Sequence, residues 1–269
     1  MQGPGGCTVG RDGLVPPGKI RPTSPEPYEG ADMSGVELVI IGVVIVLAAC
    51  LQGAIGFGLG MLAAPAIALV DPSLLPGSIV LLAAGVTVLG VLRDRTAIDL
   101  SGTGWALLGR VPGTVIGAAL VAFLPARGLA LTLAGTVLLG ALLSIWGWRP
   151  APRPVTVAVA GAASGVLGTA TAIGGPPMAL VWQGSSTAQL RGTMSAFFLV
   201  GALMSLVGLA AVGALDQHIL QFAAILTPAM MLGFALSGLV NKRLDRQRVR
   251  RVALSVSTLG AALVLWNSL

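Results

Sequence analysis

The sequence predicts an all-α polytopic membrane protein, with about eight transmembrane helices in two four-helix repeats and with broken first and fifth helices. Of its 269 residues, 55% are hydrophobic and only 10% are charged, and the mean hydropathy is +0.91. Soluble globular chains carry about 25% charged residues, so this composition excludes a soluble fold. Apolar segments of membrane-spanning length recur along the chain, and glycine-rich interruptions occur at corresponding points of its two halves.

Eight apolar segments are separated by short loops that carry most of the charges. The segments cover residues 36–70, 74–92, 102–124 and 129–148 in the first half, and 155–183, 192–212, 219–240 and 249–266 in the second. We therefore expect one integral transport domain made of two membrane repeats, 33–150 and 151–269. An even number of spans in each half predicts parallel repeats, unless part of a broken segment is re-entrant.

Residues 1–32 are rich in glycine and proline and show no apolar periodicity, which predicts a disordered tail. Met33 begins a typical membrane start, which favours the hypothesis that the native chain starts there. The net charge of +6 lies in loops, as topology signals do, and no soluble basic face for nucleic acid is present. Cys7 and Cys50 form no C-x-x-C motif, so no metal or cofactor is expected.

Two glycine-rich breaks interrupt the first and fifth segments. The first reads QGAIGFGLGMLAAP from Gln52 to Pro65, and the second reads SGVLGTATAIGGPP from Ser164 to Pro177. Three pairs of equivalent residues are each 112 positions apart: Gly53 and Gly165, Gly56 and Gly168, Pro65 and Pro177. Glycine costs about 1 kcal/mol of helix propensity relative to alanine, and unwound backbone survives in lipid only where protein or water covers it. Repeated breaks of this kind indicate a transporter binding site.

A new helix is expected to begin after each break, near Gly60 and near Pro176. Helix N-termini carry unpaired N–H groups and partial positive charge, so two converging ones would bind an anion without any buried Lys or Arg. Alternatively, the glycines serve only tight helix packing. The predicted substrate-binding residues are Gln52, Gly53, Gly56, Gly58, Gly60, Pro65, Ser164, Gly165, Gly168, Thr169, Thr171, Gly174, Gly175, Pro176, Gln183 and Arg110.

Arg110 is the one basic residue well inside a predicted segment. It either contributes to an anion path or extends its charged end to the membrane interface. No Asp or Glu lies in the middle of a segment, so buried carboxylates are not expected. A coupling ion, proton or sodium, would then have to use backbone carbonyls, or the protein works down the electrochemical gradient of the anion. His218 lies beside Asp216 in a loop, where a solvated histidine is expected rather than a proton relay.

The breaks GAIGFGLGMLAAP and GVLGTATAIGGPP, with Leu190-Arg191-Gly192-Thr193 after the second, resemble the TauE/SafE sulfite exporter family of bacterial membrane transporters. The resemblance extends over 33–269. It implies a multi-pass protein of the bacterial cytoplasmic (inner) membrane that moves a small sulfur-containing anion, such as sulfite, a sulfonate or another organosulfur compound, often outward. It implies no cofactor and leaves a homo-oligomer open.

Two other classes of function are considered. A passive channel would need a continuous polar pore lining, which the scattered Ser and Thr residues do not supply, although a channel or an assembly factor stays as the alternative. An intramembrane serine protease would use Ser164 as the nucleophile and His218 as the base. Because His218 falls in a loop rather than on a span facing Ser164, an enzyme is not expected.

Overall fold

The computed structural model of the chain describes residues 34–146, 150–182, 184–243, and 258, 259 and 262. Within these ranges all regular structure is helical. The predicted tail, Gln183 and most of the last predicted segment lie outside the described residues, so those predictions stay predictions.

The described residues form nine α-helices and two short 3-10 turns. The helices are α1 Gly35–Ile55, α2 Leu59–Val70, α3 Gly77–Asp94, α4 Leu100–Phe123, α5 Ala126–Trp146, α6 Pro154–Thr171, α7 Gly175–Val181, α8 Thr187–Ala211 and α9 Gln217–Arg243, and the turns are Pro72–Leu74 and Arg95–Ala97. By length and composition, six of these helices can cross a membrane: α1, α3, α4, α6, α8 and α9.

Polar residues between the apolar segments begin the helices. The Asp99 carboxylate accepts a hydrogen bond from the Gly102 N–H at the start of α4, and the Ser186 hydroxyl does the same for α8. Pro154 occupies the first position of α6, where a missing N–H costs nothing. The short loops thus supply the caps that the helix ends need.

The helices α1, α3 and α9 run in the same direction. Gly77 at the start of α3 lies against Ile219 near the start of α9. Towards the other end, the Arg93 guanidinium of α3 donates to the Ser237 hydroxyl of α9 at 3.0 Å. Gly53, near the end of α1, also lies against Ser237, and α1 packs along the length of α9.

The helices α4 and α6 form a second parallel pair with backbone in direct contact. Gly109 lies against the Ala158 carbonyl and, two turns later, Gly117 lies against the Val166 carbonyl. Any side chain at these glycines would separate the helices. Close approach of this kind is how membrane helices gain packing energy in lipid.

The helix α8 belongs with α4 and α6. It runs antiparallel to α3, because Gly192 lies against Asp94 at the end of α3 and Ser195 lies against Gly90, one turn earlier in α3. It runs parallel to α4, because Gly201 and then Gly208 lie against Arg110 and then Ala118. The helices α1, α3 and α9 therefore run opposite to α4, α6 and α8.

These directions require both broken segments to fold back. Since α1 and α3 are parallel, α2 must return between them, and α7 must return between α6 and α8. We call α1 with α2 hairpin 1, and α6 with α7 hairpin 2. The helices are interrupted at the predicted glycines, but each broken segment turns back instead of forming the single span that was predicted. The re-entrant exception to parallel repeats therefore applies, and α1 and α6 run in opposite directions.

The backbone at both tips adopts left-handed conformations. Gly56 has φ 91° and Gly58 has φ 124°, values that a residue with a Cβ atom rarely adopts. In the second tip Ala172 has φ 59°, an uncommon conformation for alanine. Both helix reversals therefore contain left-handed backbone conformations. The glycines of hairpin 1 adopt these more readily than the alanine of hairpin 2 does.

Polar side chains lie inside the helix assembly and apolar ones outside. On α4, Arg110 and Thr114 are buried, whereas Leu108, Val111 and Val115 are exposed. This distribution is the reverse of that in a soluble protein and presents hydrocarbon to lipid. Together with the six apolar helices, it describes a multi-pass membrane protein.

An ion-pair network joins four of the helices. The Asp94 carboxylate accepts from Arg191 at 2.9 and 3.0 Å and from Arg93 at 3.1 Å, and Arg93 also donates to the Gly53 carbonyl and to Ser237. Asp94 is only 8% exposed, so the expectation of no buried carboxylate is wrong. Two guanidinium groups compensate its charge, which permits burial at the helix end.

The contact between α4 and α6 is testable. Gly109→Val would push against the Ala158 carbonyl, and we expect overpacking to lower the free energy of unfolding by roughly 1–3 kcal/mol or more. Unfolding in detergent measures the change. Gly104→Val on the same helix is the control, because no atom lies within 4 Å of an added Cβ there. Equal stability of the two variants would contradict the helix contact.

The network gives a second stability prediction. Asp94→Asn leaves Arg93 and Arg191 without a counter-charge. Removing one partner of a buried pair costs roughly 3–5 kcal/mol, and the 29% exposure of Arg93 reduces this to roughly 2–3 kcal/mol. The control is Asp71→Asn, since Asn caps the Pro72–Leu74 turn as well as Asp does. An unchanged unfolding midpoint for Asp94→Asn in detergent would refute the role of the network.

Candidate substrate-binding site

The structure brings the two breaks together inside the helix assembly. Gly60, just after the first break, lies against the carbonyl of Ala172 in the second. Gly175, just after the second break, lies against the Phe57 side chain of the first. An added Cβ at Gly175 would be 2.8 Å from a ring carbon of Phe57. The small residues therefore let one hairpin tip reach the other.

A cavity of about 50 Å³ lies between the two tips. One water needs roughly 10–15 Å³ on this measure, so the space suits a few waters or one anion of four or five heavy atoms. Besides both hairpins, α3, α4 and α8 contribute to its wall. The predicted residues that line it are Gln52, Gly58, Gly60, Arg110, Gly168, Gly174 and Gly175.

Arg110 supplies the positive charge of the cavity wall. It is only 3% exposed, so it lies in the interior and does not extend to the membrane interface. Its two terminal nitrogens donate to Ser164 at 3.2 Å and, weakly, to Ser205 at 3.4 Å, whereas its Nε–H has no hydrogen-bond partner. Among the described residues no carboxylate lies within ion-pair distance of Arg110.

Glycines leave space for this guanidinium, and an aromatic ring packs against it. An added Cβ at Gly201 of α8 would overlap its Nε and Cζ atoms, and one at Gly168 would be 3.2 Å from a terminal nitrogen. The Phe197 ring packs against the guanidinium, with 4.9 Å between Cζ of Arg110 and the ring centroid. A ring face offers a cation partial compensation without neutralising its charge.

Gln52 and Ser164 occupy equivalent positions, 112 residues apart, and each ties its own hairpin. The Leu59 N–H donates to the Gln52 side-chain oxygen at 3.0 Å, which leaves the Gln52 NH₂ group as a donor at the cavity wall. The Ser164 hydroxyl donates to the Gly174 carbonyl at 2.7 Å and accepts from Arg110. Ser164 therefore connects the tip of hairpin 2 to the buried cation.

The helix N-termini contribute less than the sequence suggested. The first N–H of α2, that of Leu59, is already bonded to Gln52. The helix α7 has only seven residues, and Pro176 and Pro177 in its first turn have no N–H. We expected an anion site without a buried Lys or Arg, but in the structure Arg110 brings the charge.

Five predicted residues do not line the cavity: three glycines pack against other helices, and two prolines are buried within their own. Gly53 lies against α9, Gly56 against the backbone of Arg191, and Gly165 against the backbone of α4. Pro65 and Pro176 lie buried within α2 and α7. Tight helix packing therefore accounts for the glycines at these positions. The glycines that line the cavity stay candidates for binding the substrate.

The predicted threonines lie behind the cavity wall. The Thr171 hydroxyl donates to the Leu167 carbonyl of its own helix at 2.7 Å. The Thr169 hydroxyl shares a 2.7 Å hydrogen bond with Ser205, a residue that sequence reasoning missed. Ser205 contacts Arg110 and lines the cavity, and its one signal was a polar residue in the middle of an apolar segment.

The chemistry of the described site favours binding over catalysis. His218 is exposed at the start of α9, whereas Ser164 is fully buried in α6. No group of three or more His, Cys, Asp or Glu suited to a metal ion occurs in the described ranges. The cavity wall offers a cation, hydrogen-bond donors and apolar side chains.

Comparison with known proteins adds a family assignment. The family model described as Sulfite exporter TauE/SafE matches residues 41–264, which include both hairpins and Arg110. No curated protein and no solved structure matches the chain significantly. Since the match covers most of the chain, this protein belongs to the TauE/SafE sulfite exporter family of membrane transporters.

Proposed function

We propose that the protein is a secondary transporter that exports a small sulfur-containing anion, such as sulfite or a sulfonate, by alternating access. The anion binds in the cavity between hairpins 1 and 2. The observation that carries the proposal is Arg110, a buried cation that lines a cavity of suitable size and has no carboxylate within ion-pair distance among the described residues. The family membership supports the transport of a sulfur anion.

The energetics of burial favour an anionic ligand. An isolated charge in a low-dielectric interior costs several kcal/mol unless it is paired. Ser164 and Ser205 donate and accept but carry no charge, so they solvate Arg110 without neutralising it. An anion in the cavity supplies the missing negative charge.

Alternating access is supported by the arrangement of the helices. We propose that the chain consists of two inverted repeats, 33–150 and 151–269, each with the four predicted segments. Hairpin 1 packs on α9 and hairpin 2 packs on α4, which are equivalent pairs in the two halves. Pro112 and Pro228, in α4 and α9, are 116 residues apart and agree with this pairing. Rocking of one half against the other opens the cavity to each side in turn.

The membrane location and the absence of enzymatic activity are proposed from the family and from the contacts of Ser164. We place the protein in the bacterial cytoplasmic membrane and assign no enzymatic activity, which fits a Ser164 hydroxyl already bonded to Gly174 and Arg110. A coupling proton or sodium ion, and a homo-oligomer, are compatible with this transporter.

Replacement of the buried cation tests the proposal. In proteoliposomes, the wild type is expected to take up radiolabelled sulfite or a sulfonate saturably, with chloride as the comparison anion. Arg110→Gln should lower this flux at least about tenfold, since a hydrogen bond to a charged group contributes roughly 1.5–3 kcal/mol. Arg153→Gln, at an exposed arginine, is the matched control. Full flux in a folded Arg110→Gln protein would refute the site.

Filling the cavity is an independent test. Gly175→Leu places a side chain against Phe57 where the two tips meet, and sulfur-anion flux should disappear while the protein stays folded. Gly104→Leu adds the same side chain where nothing lies within 4 Å, and it should transport normally. Normal flux through Gly175→Leu would show that the anion does not pass between the hairpins.

A further inference from the structure

We propose that the cavity selects a singly charged oxyanion over a doubly charged one of the same shape. The inference rests on the proposed function, because it concerns the ligand of the same cavity. It is drawn from the charges at the cavity wall and from the small number of hydrogen-bond donors there.

The first argument is a count of charges. Arg110 is the one charged residue among those that line the cavity, and no Asp or Glu belongs to the wall. One negative charge beside the guanidinium gives a neutral site. A doubly charged anion leaves one negative charge uncompensated in a buried place, which is the arrangement that low-dielectric interiors penalise most.

The ion-pair network does not change this count. None of its residues, Arg93, Asp94 and Arg191, lines the cavity. Asp94 offsets one of the two arginines, and Arg93 is 29% exposed, so solvent screens part of the remaining charge.

The second argument concerns hydration. The Born free energy of an ion grows with the square of its charge, so a dianion loses about four times the hydration free energy of a monoanion of equal size. The side-chain donors at the wall come from Arg110, Gln52 and Ser205. Side chains such as Val80 and Phe198 add apolar wall that replaces none of the lost water.

Two isosteric anions test the inference. Methanesulfonate is singly charged throughout the neutral pH range, whereas methylphosphonate has the same shape and loses its second proton within that range. Binding is measured on the detergent-solubilised wild type in chloride-free buffer, from the rise in the thermal unfolding midpoint with anion concentration. Each anion is titrated below and above the pH of that second dissociation.

We expect methanesulfonate to bind equally at both pH values, and methylphosphonate to bind at least about tenfold more weakly once it is doubly charged. Arg110→Gln should abolish the binding of methanesulfonate and the charge dependence of methylphosphonate binding, which assigns both to the cavity. Equal binding of both charge states of methylphosphonate would overturn the selectivity and leave an anion site in place. If neither anion binds and no anion flux occurs in proteoliposomes, the proposed function is overturned and the inference with it.

Discussion

A guanidinium group in the interior of a membrane protein needs partners, and the arrangement around Arg110 follows from that need. Two serine hydroxyls accept from its terminal nitrogens, the Phe197 ring faces it, and Gly201 leaves the space it occupies. None of these partners carries a negative charge. The described residues therefore solvate the cation but do not neutralise it.

The glycines let the helices around Arg110 pack closely. Two helix hairpins can enclose a cavity beside Arg110 only if their backbones approach one another and the neighbouring helices without side chains between them. Gly60 against Ala172 joins the tips, and Gly109 against Ala158 joins α4 to α6. Glycine thus lowers helix propensity locally while the contacts it permits stabilise the assembly.

The sequence predicts the membrane fold, the two breaks and seven of the 16 residues that line the cavity, because these depend on composition and local spacing. It does not predict that α2 and α7 turn back, since hydropathy carries no direction. The burial of Arg110 was left open for a similar reason: its environment comes from α6 and α8, far away in the chain. Asp94 looked like a loop residue, and its burial depends on Arg191, 97 residues later.

The hairpins look equivalent, yet they are fastened differently. The Gly53 carbonyl in hairpin 1 accepts from Arg93, which lines no part of the cavity. The tip of hairpin 2 is tied by Ser164, whose oxygen also accepts from Arg110. An anion that draws the guanidinium towards itself competes with Ser164 for the same N–H. In the proposed transporter, binding of the anion is therefore linked directly to the hydrogen bond that holds the tip of hairpin 2.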